Sequence, residues 1–146
     1  MAGFEMPRNL VWAAERQDAA DAGRRGWMTR VPALVDELAR RWSLTLGRPF
    51  QPGGYTSWAA PARDRVGRSV VLKVGWYHDE ARDEVEGLRI WDGAGTVRLL
   101  EAATMDEMAG LLDLDPGRLR NWLFARCVQE SIDNPQLVDV ATELAP

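Results

Sequence analysis

Lysine is almost missing from this 146-residue chain: of 18 basic side chains, all are arginine except Lys73. A chain that writes its cations as arginine marks its one lysine as a place where a compact, deformable ammonium is needed, or as drift. Cysteine and histidine are equally scarce. Cys127 alone excludes an intramolecular disulfide, and His78 alone lacks the companion ligands of a metal site, so it reads as a helix-start or exposed residue. No apolar run approaches the roughly 20 residues of a membrane span, and no secretory hydrophobic segment follows the first Met. A soluble, cytoplasmic protein without a membrane partner is expected. Basic excess is missing too: the net charge of −4 argues against nucleic acid as a partner held by bulk electrostatics.

What is present is enough for one domain, since 46% of the residues are hydrophobic and seven Trp are available as core anchors. From Asn9 to Gly26 an Ala- and charge-rich segment has a weak helical pattern, with Gly23 and Gly26 bracketing its end. Val31, Leu34, Val35, Leu38 and Trp42 then fall on one stripe of a helix that tolerates Pro32 in its first turn. The period changes after LGRPFQPGG. TSWAAPA and SVVLKVGW are strand-like, the charged RDRVGR between them suits a hairpin loop, and Pro61 suggests an exposed edge at that point. HDEARDEVEGLRIWDG returns to helical spacing with Ala81, Val85 and Leu88 on one side, and Gly93 and Gly95 stop it. TVRLLEA is a further strand. Beyond it the signals are helical: a capping box at Thr104 and Glu107 opens a helix through Leu112. Asp115-Pro116 opens another carrying Leu119, Trp122, Leu123 and Cys127, and Asn134-Pro135 opens a last one with Leu137, Val140, Ala141 and Leu144. The fold class is α+β: a small antiparallel sheet of three to five strands with one helix against it, flanked by N-terminal and C-terminal helices.

Within SVVLKVGW, period two puts Val70, Leu72 and Val74 on one face and Val71, Lys73 and Gly75 on the other. Eleven residues on, Glu84 shares a helix side with Leu88 and Trp91, where its carboxylate can meet the ammonium. Upstream, Gly53 and Gly54 in PGGY form a turn whose backbone N–H groups can approach phosphate oxygens without a Cβ in the way. Glycine turn, strand lysine and helix glutamate, in that order, make up the nucleotide-holding half of a protein kinase. Each part also has an ordinary structural use, as a hairpin turn and as an edge ion pair.

The segments VPALVDELARRWSLTLGRPFQPGGYTSWAAPA, GRSVVLKVGW and HDEARDEVEGLRIWDGAGTVRLLEA resemble the N-terminal lobe of the aminoglycoside/hydroxyurea antibiotic resistance kinases, the streptomycin 6-kinase-like phosphotransferases. The likeness runs over residues 9–102, and the tail at 104–146 resembles the C-terminal helices of the same family. This resemblance implies a kinase-like fold with ATP and Mg²⁺ as cofactors and an antibiotic hydroxyl, of an aminoglycoside such as streptomycin or of hydroxyurea, as acceptor. It implies that Lys73 contacts the ATP phosphates, with Glu84 as its partner and Gly53 and Gly54 in the phosphate loop.

The family's catalytic loop, resembling His-Gly-Asp-x-x-x-x-Asn, and its later metal-binding Asp are not recognisable, so no catalytic or metal-binding residue is assigned. Asp115 and Asn121 mimic an Asp…Asn pair but are six apart and suit a helix start. The expectation is a single shortened kinase-like domain over 1–146, joined near Glu101 to Asp106. It is inactive or incomplete, and the lobe interface it exposes would be prone to self-association. A different class competes for residues 105–127, whose shape is that of a helix-turn-helix with Arg118, Arg120 and Asn121 early in its second helix, a non-enzymatic binding module for DNA or protein. The acidic residues Asp113 and Asp115 at the turn weigh against DNA.

Overall fold

The computed structural model describes residues 4–16, 22–76, 79–103 and 124–129, of which 22, 79–83 and 124–129 are described as backbone. In chain order these residues form α1 (Arg8–Arg16), α2 (Ala22–Arg41), β1 (Thr45–Leu46), β2 (Ser57–Arg63), β3 (Ser69–Gly75), α3 (Asp79–Trp91), β4 (Leu99–Ala103) and β5 (Phe124–Gln129). The class is α+β, as the alternation of periods indicates. The five strands make one sheet in the order β1-β2-β3-β5-β4, every neighbouring pair antiparallel.

The apolar stripe predicted for the second helix is the centre of the core. Val31, Leu34, Val35 and Leu38 are fully buried, and Trp27 one turn earlier and Leu10 of α1 join them. Gly23 and Gly26 do not end a helix as expected; both lie inside α2, and Pro32 sits mid-helix instead of in the first turn. Burial of a long apolar face outweighs the local cost of these residues, which is about 1 kcal/mol for a glycine. At its other end α2 stops in a left-handed residue, Ser43 (φ 53°). There the amide of Leu44 donates to the carbonyl of Ala39 and that of Ser43 to Arg40, which satisfies carbonyls the helix itself leaves open.

The core stripe of α2 packs on one face of the central strands. Trp58, Ala60 and Ala62 of β2 and Val70, Leu72 and Val74 of β3 alternate into this face and are buried. The edge of β2 at Pro61 is not exposed as expected, because the segment after β1 runs along it, and Pro61 is accommodated since only carbonyls are used there. There Pro61 accepts from the amide of Gly47 and Ala59 from Phe50, both through carbonyls, so no N–H is needed at position 61.

One expectation fails at the far end of the chain. The helical stripe through Cys127 does not extend over Phe124–Gln129, which is strand β5, seated between β3 and β4 with Leu72 opposite Cys127. A short apolar run cannot tell the two periods apart by itself. The side of β3 away from β2 offers six register positions of backbone pairing, and that long-range ladder decides the matter. The second helix of the helix-turn-helix reading therefore does not reach Arg126. The capping box at Thr104, the helix start at Asp115, the last helix at Asn134 and His78 lie outside the described residues.

Candidate functional site

Lys73 stands mid-strand on the face of β3 opposite to Leu72, with Ala59 of β2 beside it in register and residue 126 of β5 on its other side. The helix α3 follows β3 and returns over this face. Lys73 Nζ donates to Glu84 Oε1 at 3.1 Å and to Oε2 at 3.4 Å. The two side chains keep 24% and 28% of their surface exposed, so the pair is sheltered yet still reachable from solvent. A bidentate carboxylate on the ammonium fixes a flexible four-carbon chain in one direction and lowers the entropy lost when an anion binds beside it. Of the residues expected on the inner side of α3, Leu88 is buried whereas Trp91 is 59% exposed, because α3 ends there and Asp92 and Gly93 turn the chain away with positive φ.

The glycine turn lies in the connection from β1 to β2 and is held from the N-terminal side. Asn9 donates its backbone N–H to the Pro52 carbonyl at 2.9 Å and its side-chain Nδ2 to the Gly53 carbonyl at 2.8 Å. Gly53 has φ +76°, and a methyl group there would collide with the Pro7 ring, so only glycine fits. The neighbouring Gly54 comes close to Ser57 Oγ, which a Cβ on Gly54 would approach to 3.3 Å. Ser57 is two residues from Ala59 and so shares the face of Lys73. The turn thus touches the N-terminal segment through Gly53 and approaches the lysine face through Gly54.

Around the turn, Arg48 Nε and Gln51 Nε2 both donate to the carboxylate of Glu5, at 3.0 and 3.1 Å. The Arg48 hydrogen bond chiefly, against a smaller desolvation effect, holds the Glu5 carboxyl below its ordinary pKa. Arg24, 5% exposed on α2, donates Nη2 to the Tyr55 carbonyl. Glu5, Asn9 and Arg24 carry no signal in the sequence, because each acts across more than thirty positions. Among the described residues no group of three or more His, Cys, Asp or Glu could hold a metal ion, and no helix is long and apolar enough to cross a membrane.

No family model matches the chain, and no solved structure does. Three curated proteins are similar to it. A streptomycin 6-kinase of Streptomyces glaucescens is 34% identical over 114 residues, 78% of this chain and 36% of that protein. A hydroxyurea phosphotransferase of Kitasatospora aureofaciens is 33% identical over 128 residues, 88% of this chain and 37% of that protein. A streptomycin 6-kinase of Streptomyces griseus is 34% identical over 98 residues, 67% of this chain and 31% of that protein. The chain spans about a third of the length of the relatives it matches. Over that third of their length the chain is similar to streptomycin 6-kinases and to a hydroxyurea phosphotransferase.

Proposed function

We propose that this chain presents the nucleotide-holding half of an antibiotic phosphotransferase, with a kinase-like N-terminal lobe formed by the sheet and α3. The observation that carries the reading is the Lys73–Glu84 hydrogen bond, made from the third strand to the helix that follows it. Protein kinases use a strand lysine held by a helix glutamate in this order to engage the phosphates of ATP. Lys73 would hold the phosphates, Glu84 would orient Lys73, and the amides of Gly53 and Gly54 would close on the phosphate oxygens.

ATP supplies a transferable phosphoryl group when bound. The chain's own residues hold and orient it: the lysine neutralises charge, and the half-sheltered face limits competition from water. The described residues provide no cluster of carboxylates that fits Mg²⁺, and no step is assigned to the ion. No described residue is assigned as a base for an acceptor hydroxyl. The function that follows is nucleotide binding without efficient transfer to streptomycin or hydroxyurea.

Calorimetric titration with ATP tests this. Binding by the wild type that falls at least tenfold in Lys73→Ala, with no phosphorylation of either antibiotic above the rate without protein, is the expected result. Because Lys73 is the one lysine, ATP should also slow acylation of a single ε-amine. Equal ATP affinity in wild type and variant overturns the phosphate role of Lys73, and measurable phosphorylation overturns the loss of transfer.

A further inference from the structure

We propose that residues 4–9 form a positioning strap that aims the amides of Gly53 and Gly54 away from α1, as an anion-facing pair. The proposal rests on the reading that this turn receives phosphate. It adds that Asn9, which touches no phosphate, sets the turn's affinity.

The ties are consecutive and come from one side. Gln51 donates to Glu5 and to the Met6 carbonyl, and its Oε1 accepts from the Arg8 amide. The carbonyls of Pro52 and Gly53 accept from the backbone and side chain of Asn9. The strap is itself anchored, since Trp58 Nε1 donates to the Glu5 carbonyl and Phe4 stacks on Trp58 with ring centroids 5.5 Å apart. In a trans peptide the carbonyl and the following N–H point in opposite directions. Holding the Pro52 carbonyl toward Asn9 therefore turns the Gly53 N–H away from it, and holding the Gly53 carbonyl does the same for the Gly54 N–H. Among the described residues neither amide donates a hydrogen bond. Two successive amides left open on one side of a glycine turn suit the oxygens of a polyphosphate.

Asn9→Ala is the discriminating variant, because alanine at the start of α1 does not disfavour the helix. Amide order parameters of Gly53, Gly54 and Tyr55 should fall from the rigid range near ~0.85 to below ~0.6. ATP affinity should weaken about fivefold, as expected for one lost hydrogen bond. Unchanged order parameters overturn the strap. A loosened turn with unchanged ATP affinity, while Lys73→Ala still weakens binding, overturns the positioning role. Failure of the wild type to bind ATP removes the phosphate reading instead, and the strap then stands or falls on the order parameters.

Discussion

On one face of β3, Val70, Leu72 and Val74 are fully buried, the last two in the core that α2 covers; on the other, Lys73 keeps about a quarter of its side chain in contact with solvent beside Glu84. The two faces are separated by a single residue step and receive opposite treatment. A fully buried ammonium would cost several kcal/mol in lost hydration, and a fully exposed one would be screened and mobile. Partial cover by α3 avoids both extremes. The difference teaches that the two faces divide burial and solvent access: the closed face is core, and the half-open face holds an ion pair within reach of solvent.

Breaking the closed face should have the largest effect. Leu72→Ala removes a fully buried side chain from the main core cluster and should lower the free energy of unfolding by about 2–5 kcal/mol, read from urea denaturation. Lys73→Met, one step along the same strand, should cost about 1 kcal/mol or less, because the pair it breaks is partly screened and methionine keeps the apolar stem covered. Similar losses in the two variants would show that the Lys73 face is a structural core and not a binding face.

That contrast was legible in the sequence wherever it rested on period. Val70, Leu72 and Val74 alternate with Lys73, and Leu34, Val35 and Leu38 repeat at helical spacing, so a few residues announce which side is apolar. Glu84 was legible by its place on the helix after the lysine strand. The strap was not, because Asn9 meets Pro52 and Gly53 across more than forty positions through bonds to backbone carbonyls, which any residue offers. Nor was β5, where an apolar run fits either period and pairing with β3 decides. At Gly53 the sequence offers phosphate approach as the reason for glycine, whereas its positive φ and close approach to Pro7 supply a packing reason that spacing alone does not reveal.

The smallest expected effect lies at the turn joining β2 to β3, where neither face of the sheet is involved. Asp64 Oδ1 accepts from the amides of Val66 and Arg68 at 3.0 and 2.9 Å, and Oδ2 accepts from Arg68 Nε at 2.6 Å. Partial burial pushes the carboxyl toward its neutral form, but the hydrogen bonds from the Arg68 side chain and from the two amides together outweigh it and hold the pKa below its ordinary value. A folded-state pKa depressed in this way contributes stability above the ordinary range, near pH ~4, and loses it as the pH falls through the lower folded value. The thermal midpoint of the wild type should therefore exceed that of Asp64→Asn by a constant margin above about pH 5, and the margin should shrink below about pH 4. The deficit of Leu72→Ala, which removes no titrating group, should stay level over the same window. A margin for Asp64→Asn that stays constant through the acid range would show that ionisation of Asp64 contributes nothing to the turn.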